Sequence, residues 1–181
     1  MAIVAIMASA LITTGCNSDD DDTWSKYETW RKTNDEYFRT CRDSIGPDGK
    51  PYYQVLYPNW NPAAEILIRY FNDRQETSGN LKPMLTSTCD VIYHGRLSSG
   101  TPFDSSYTMT QYGRGIARLV PQKTVQGFAI ALMDMNVGDT CEIVIPYDLA
   151  YGAQTNGLIL PYSALKFNIR LKDIPYYEVR E

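Results

Sequence analysis

The sequence predicts an α+β domain in which an antiparallel sheet packs against one short helix. Residues 164–174, ALKFNIRLKDI, alternate between apolar and polar side chains, as in a strand with one buried face and one wet face. Residues 88–97, TCDVIYHGRL, alternate in the same way. Residues 124–135, TVQGFAIALMDM, instead follow a helical period. Their apolar helical face consists of Val125, Phe128, Leu132 and Met135.

The length and charge of the chain restrict its class. Its 181 residues match about one domain with appendages, and a hydrophobic content of 44% is sufficient for a packed core. The 17 basic and 21 acidic side chains give a net charge of −4. Because binding to nucleic acid needs a basic surface, this balance argues against a nucleic-acid partner.

Residues 1–16, MAIVAIMASALITTGC, have the features of a targeting signal. Their apolar run is shorter than the ~20 residues of a membrane span and matches the core of a signal peptide. The end of the segment resembles a bacterial lipobox, which predicts lipidation of Cys16. Thr13 stands where the lipobox usually has Leu, and no Lys or Arg precedes the apolar run. An ordinary cleaved signal and a buried N-terminal helix are the alternatives.

An acidic linker and a helical extension are predicted before the domain. Residues 17–23, NSDDDDT, are too polar to pack and are interpreted as a flexible tether. It resembles the acidic motif of surface-exported lipoproteins. A solvated linker that carries no export signal is the alternative. Residues 24–50 form the helical extension, in which Ser25 and Glu28 fit a capping box. The aromatic residues of this helix make it a candidate dimerisation element.

The remaining segments are predicted to be mainly strands. Residues 52–57 and 140–145 have strand character, whereas residues 65–71 fit a helix or a strand equally well. Besides Cys16, the chain has Cys41, Cys89 and Cys141, so at most one internal disulfide can form. Cys89 and Cys141 are the candidate pair, and buried free thiols are at least as compatible with the sequence. The cysteine spacing matches no zinc site.

Four segments occur in the order typical of one family. They are VIYHGRLSSGTPFDSS (91–106), VQGFAIALMDMNVGDTCEIVIPYDLAYG (125–152), LILP (158–161) and ALKFNIRLKDI (164–174). Together they resemble the FKBP-type peptidyl-prolyl cis-trans isomerases over about residues 88–174. The resemblance implies an FKBP-like antiparallel sheet wrapped around one short α-helix, in a domain of residues 51–181.

The resemblance also implies a shallow apolar cup between the sheet and the helix. Tyr93, Asp104 and Tyr151 are the implied catalytic residues. The implied substrate-binding residues are Phe103, Val125, Phe128, Ile159 and Phe167. In this interpretation the Tyr151 hydroxyl and the Ile159 N–H hold substrate carbonyls, while Asp104 lies beside the twisting carbonyl. Tyr93, Ser105 and Ser106 are the expected hydrogen-bond donors to Asp104.

Two features depart from the family pattern. Phe128 stands where the family usually has Trp, and the aromatic residues that the family generally has in the 107–122 loop cannot be matched to positions there, where Ile116 or Leu119 could substitute. The expected function is peptidyl-prolyl isomerisation that assists the folding of exported proteins, without a cofactor or metal. The expected location is extracytoplasmic, with a lipid anchor in the outer membrane. The alternatives are an FKBP-like binding or chaperone module with little activity and a non-enzymatic scaffold.

Overall fold

The computed structural model of the chain describes residues 19–176. The helices are α1 (Asp19–Lys26), α2 (Glu28–Arg42), α3 (Arg74–Thr77) and α4 (Gln126–Asp134). The strands are β1 (Gln54–Leu56), β2 (Ile66–Tyr70), β3 (Cys89–Leu97), β4 (Pro102–Ser105), β5 (Ala117–Leu119), β6 (Thr140–Ile145) and β7 (Leu165–Asp173). The predicted strands at 88–97, 140–145 and 164–174 are confirmed as β3, β6 and β7. The ambiguous segment at 65–71 forms a strand.

The described strands form one antiparallel sheet. Their order is β1-β2-β6-β7-β3-β4, and β5 pairs with the beginning of β3 beside β4. Each pairing between neighbouring strands is antiparallel. The sheet and its packed helix confirm the predicted α+β class.

Helices cover both faces of the sheet. On one face, Ile143 and Ile145 of β6 share a buried cluster with residues of α4. On the other face, Val144 packs with Leu67 of β2 and Phe38 of α2. Since successive side chains of a strand point to opposite faces, β6 is buried on both sides and lacks apolar–polar alternation. We call the face that contacts α4 the inner face and the face that contacts α2 the outer face.

The N-terminal helical region begins earlier than the sequence predicts and is divided into two helices at Tyr27. α1 starts at Asp19, inside the predicted linker 17–23, and α2 follows it after Tyr27. The predicted capping box at Ser25 and Glu28 is wrong, because Ser25 lies within α1 and Tyr27 precedes α2 without a side-chain cap. Cys16 and the rest of the predicted signal lie outside the described residues. Across 19–176, no helix combines the length and apolar character that crossing a bilayer requires.

The three cysteines in the described part of the chain are free thiols. Cys89 lies on β3 and Cys141 on β6, and β7 separates these two strands. Strands two positions apart are about 9–10 Å from each other, which exceeds the ~7 Å limit for the Cα atoms of a disulfide. The candidate Cys89–Cys141 pair is therefore wrong. Burial raises the pKa of the Cys89 thiol to about 11, with a smaller contribution from Asp90.

A buried asparagine attaches α2 to the domain. Asn34 is 1% exposed, and its Oδ1 accepts hydrogen bonds from the Ala164 N–H at 3.0 Å and from the Ser98 hydroxyl at 2.9 Å. Its Nδ2 donates to the Trp30 carbonyl at 2.9 Å. One amide group thus joins α2 to two separate loops of the sheet domain.

Replacing Asn34 with alanine is expected to lower the free energy of unfolding by about 1–3 kcal/mol, because the buried Ala164 N–H loses its acceptor. Chemical denaturation monitored by circular dichroism measures the change. Thr40→Ala, at an exposed position of α2, is the control and should change stability by less than about 0.5 kcal/mol. Equal effects of the two substitutions would contradict this role of Asn34.

Candidate active site

A pocket of about 390 Å³ opens between the beginning of α4 and the inner face of the sheet. Its lining consists of Tyr93, Asp104, Leu119, Lys123, Thr124, Val125, Phe128, Tyr151 and Phe167. Six of the eight predicted site residues therefore line one pocket, although they come from β3, β4, the beginning of α4, the loop after β6, and β7. Phe103 and Ile159 are outside this lining.

Aromatic rings form the floor of the pocket. Phe128 of α4 and Phe167 of β7 meet edge to face, with 5.1 Å between their ring centroids. The ring of Tyr93 lies 5.9 Å from Phe128 and 6.4 Å from Phe167. Phe103 packs against Phe167 at 5.4 Å and so supports the floor without lining the pocket. Edge-to-face pairs of this kind fix the ring orientations.

Tyr93 and Asp104 form a hydrogen-bonded pair at the pocket. The Tyr93 hydroxyl donates to Asp104 Oδ2 at 2.8 Å, and the Ser105 N–H donates to Oδ1 at 2.7 Å. Burial raises the pKa of Tyr93, and the hydrogen bond to Asp104 raises it further. The hydroxyl therefore remains a protonated donor at neutral pH, and both carboxylate oxygens of Asp104 have a fixed partner.

Ser106 does not donate to Asp104, in contrast to the prediction. Its hydroxyl accepts the Tyr93 N–H at 3.0 Å and donates to the Gly115 carbonyl at 2.7 Å. Ser106 is fully buried, so its short side chain satisfies main-chain groups on both sides. It connects β3 to the end of the 107–115 loop and thereby holds Tyr93 in place.

Tyr151 lies across the pocket in the loop after β6. Burial raises the pKa of its hydroxyl, and the nearby Asp104 carboxylate adds to the increase, whereas Asn156 acts in the opposite direction. The hydroxyl is consequently neutral at physiological pH. It provides the pocket with a second hydrogen-bond donor.

Ile159 does not present its N–H to the pocket. The side chain is 3% exposed and belongs to the core, and its N–H donates to the Asn156 carbonyl at 2.9 Å. In contrast, the N–H of Val125 has no acceptor within residues 19–176. Val125 has an extended conformation before α4 and lines the pocket. Val125 thus brings a main-chain N–H that is unpaired among the described residues to the lining of the pocket, where the Ile159 N–H was expected.

Sequence reasoning missed two lining residues and left a third open. Lys123 and Thr124 directly precede Val125 in the chain, so their nearness to a predicted site residue was an available signal. Leu119, one of two proposed substitutes in the altered loop, lines the pocket, whereas Ile116 does not. Leu119 reaches this position because β5 pairs with β3, opposite Cys89.

Comparison with solved structures supports the fold. The structure of FkpA from Escherichia coli is similar with a TM-score of 0.65 and 21% identity, over 85% of this chain and 63% of that one. The peptidyl-prolyl cis-trans isomerase structure from Pseudomonas syringae pv. tomato has a TM-score of 0.57 and 25% identity, over 88% of this chain and 98% of that one.

Curated relatives resemble a part of this chain. The macrophage infectivity potentiator of Trypanosoma cruzi is 41% identical over 98 residues, which is 54% of this chain and 48% of the relative. The peptidyl-prolyl cis-trans isomerase Mip of Coxiella burnetii is 43% identical over 91 residues, or 49% and 37% of the two chains. The chain thus spans about half or less of the length of these relatives.

The family comparison covers the pocket-forming segments. The model of the FKBP-type peptidyl-prolyl cis-trans isomerases matches residues 79–172, which is more than half of the 181 residues. This range contains each residue that lines the pocket. The chain belongs to the FKBP-type peptidyl-prolyl cis-trans isomerase family.

Proposed function

We propose that the chain catalyses the cis-trans isomerisation of X-Pro peptide bonds in exported polypeptides. The observation that carries this proposal is the hydrogen-bonded pair of Tyr93 and Asp104 beside the aromatic floor of Phe128 and Phe167. The floor suits a proline ring, and the pair places a fixed polar group at the edge of an apolar surface. Membership of the family and the names of the relatives support the same activity.

The physical basis of catalysis lies in the amide bond. Resonance gives its C–N bond partial double-bond character and a barrier of about 18–20 kcal/mol to rotation. At the twisted transition state this resonance is lost, so the amide becomes less polar than the planar ground state. An apolar pocket that removes water from the planar amide therefore favours the twisted form, which is differential binding of the transition state. This route needs no nucleophile or general base.

The polar groups of the pocket orient the substrate in this proposal. The Tyr151 hydroxyl and the Val125 N–H donate to carbonyls on either side of the bond that rotates. Asp104 lies beside the carbonyl of the residue before proline, with its oxygens held by Tyr93 and Ser105. Because these partners fix the carboxylate before the substrate binds, little reorganisation is needed at the transition state.

Substitution of the polar pair tests the assignment. Tyr93→Phe and Asp104→Asn should each lower kcat/KM for a short X-Pro peptide by about tenfold, equivalent to ~1.4 kcal/mol of transition-state stabilisation. Tyr107→Phe is the control, because Tyr107 is 59% exposed and lies outside the pocket lining. Since Tyr93 has a raised pKa and stays protonated, the wild-type rate should be flat between about pH 6 and 9.

A proline-isomer assay on residues 17–181, which lack the predicted signal and the lipidated Cys16, decides between the enzyme and its main alternative. A rate equal to the uncatalysed one would contradict the isomerase proposal. Retained binding of an X-Pro peptide in that case would favour an FKBP-like binding module. The smaller floor at Phe128, where the family usually has Trp, is the feature that favours this alternative.

The proposal includes an extracytoplasmic location with a lipid on Cys16 that anchors the chain in the outer membrane. The sequence of residues 1–16 supports this part. Incorporation of radiolabelled palmitate into the wild-type precursor, and its absence from Cys16→Ser, is the expected result. Labelling of both precursors or of neither would contradict the anchor.

A homodimer through the N-terminal helix has to use a face of α2 that the sheet domain does not cover. Phe38 of α2 is buried against Tyr53, Leu67 and Val144 of its own chain, so this apolar face already has a partner. Light scattering on residues 17–181 tests the state directly. A mass of one chain would exclude the dimer, whereas a doubled mass would support it.

A further inference from the structure

A second groove lies along α4, outside the active-site pocket. Its volume is about 260 Å³, and its lining consists of Trp60, Leu85, Gln126, Ala129, Ile130 and Met133. The four helical residues follow the spacing i, i+3, i+4 and i+7 and therefore share one face of α4. The side chain of Phe128 points to the opposite face, toward the sheet. We call this site the α4 groove.

The α4 groove is almost entirely apolar and open to solvent. Gln126 is its single polar lining residue. Trp60 is 60% exposed and Leu85 is 47% exposed. In the described part of the chain, the Trp60 indole makes neither a hydrogen bond nor a contact with another ring. An exposed tryptophan beside apolar side chains is typical of surfaces that bury a partner's apolar group.

The α4 groove and the candidate active site are separate pockets that meet at consecutive residues of the chain. Val125 lines the active-site pocket, and the next residue, Gln126, lines the groove. The Gln122 N–H donates to the Leu85 carbonyl at 3.0 Å and ties the groove wall to the turn that carries Lys123. The two sites therefore lie on either side of the same helix terminus, where one extended polypeptide can contact both.

The size of the groove favours a side chain over a second folded subunit. Its volume of about 260 Å³ is below the ~300–1,000 Å³ typical of pockets that enclose a small molecule. A stable interface between folded proteins covers about 800 Å² on each partner, which requires a much larger surface. One apolar side chain of an extended chain matches the available space and the apolar lining.

We propose that the α4 groove binds an apolar side chain of the client polypeptide, a few residues away from the proline in the active-site pocket. The inference rests on the proposed isomerase function, because the client is defined by that proline. Eight residues separate Val125 from Met133, which corresponds to about 12 Å along the helix axis. An extended chain advances about 3.3 Å per residue, so the apolar side chain should lie about three to six residues from the proline.

Peptide binding to the chain of residues 17–181 tests this inference. Fluorescently labelled peptides contain one X-Pro bond and either Phe or Ser, placed five residues before or after the proline. Anisotropy titration should give about tenfold tighter binding of one Phe peptide than of its Ser counterpart. Trp60→Ala and Leu85→Ser should remove this difference and leave the Ser peptides unaffected.

Isomerisation of a short tetrapeptide provides an internal control, since it cannot reach the groove. Its rate should be the same in the wild type, Trp60→Ala and Leu85→Ser. Ile45→Ser is the matched control variant, because Ile45 is 62% exposed and lies outside the groove lining. This variant should keep the preference for the Phe peptide.

The outcomes separate the two proposals. Equal binding of Phe and Ser peptides by an active wild-type enzyme would overturn the groove inference alone. An inactive wild type that still prefers the Phe peptide would contradict the isomerase proposal and would support the groove as a peptide-binding site. A mass of two chains that falls to one in Trp60→Ala would assign the groove to a second copy and overturn the inference.

Discussion

Replacing Gly127 with alanine is expected to lower the free energy of unfolding by about 1–3 kcal/mol, although alanine is the better helix former by about 1 kcal/mol. Gly127 is buried in α4 where the helix crosses β6. A Cβ at this position would overlap Cγ2 of Ile145 and lie 3.0 Å from its Cγ1. Ile145 is fully buried, so it cannot move aside, and the helix must shift away from the sheet.

Chemical denaturation of two further variants isolates this clash. Gly79→Ala is the control, because a Cβ at Gly79 would meet no atom within 4 Å, and its effect should be below about 0.5 kcal/mol. Ile145→Ala removes the obstructing atoms, so the double variant should be more stable than the sum of the single effects by about 1 kcal/mol. Additive effects within error would show that the helix and the strand do not collide.

Strands that have one buried face and one solvent-facing side could be predicted from the sequence. β7 alternates cleanly because Lys166 and Asn168 face outward while Phe167 and Ile169 face the core. The segment at 65–71 stayed ambiguous, because β2 is buried on both faces at Ile66–Ile68 and therefore has no alternation. Its pairing with β1 on one side and with β6, which lies far along the chain, on the other distinguishes this strand from a buried helix.

The pocket residues that could be predicted from the sequence are those whose side chains occupy fixed positions of the family motifs. Tyr93, Asp104, Val125, Phe128, Tyr151 and Phe167 belong to this group. The role expected of Ile159 failed because it concerned a main-chain N–H. The direction of this N–H depends on the turn in which it donates to the Asn156 carbonyl, and the identity of residue 159 alone does not encode that turn. Leu119 was uncertain for a related reason, since β5 has three residues and is too short to show a period.

Replacing Gly95 with alanine is expected to lower kcat/KM for a short X-Pro peptide by about tenfold or more, equivalent to ~1.4 kcal/mol. Gly95 lies on β3 opposite Phe167 of β7. A Cβ there would lie 2.6 Å from Cε1 of Phe167 and 2.7 Å from Cζ of Phe103, so both rings must move. Because Phe167 is only 6% exposed and forms the pocket floor with Phe128, its displacement deforms the surface proposed to hold proline.

Phe103 and Phe167 differ in how far they can move away from the added Cβ. Activity and stability must therefore both be measured for Gly95→Ala. Phe103 is half-buried and can rotate toward solvent, whereas Phe167 has no such space. If Phe103 alone moved, Gly95→Ala would lose stability and keep its activity, contrary to the expected result. If Phe167 moves, activity falls while the chain stays folded, as circular dichroism and an unfolding curve establish. Phe103→Leu relieves one of the two contacts, so adding it to Gly95→Ala should recover stability but not the lost turnover.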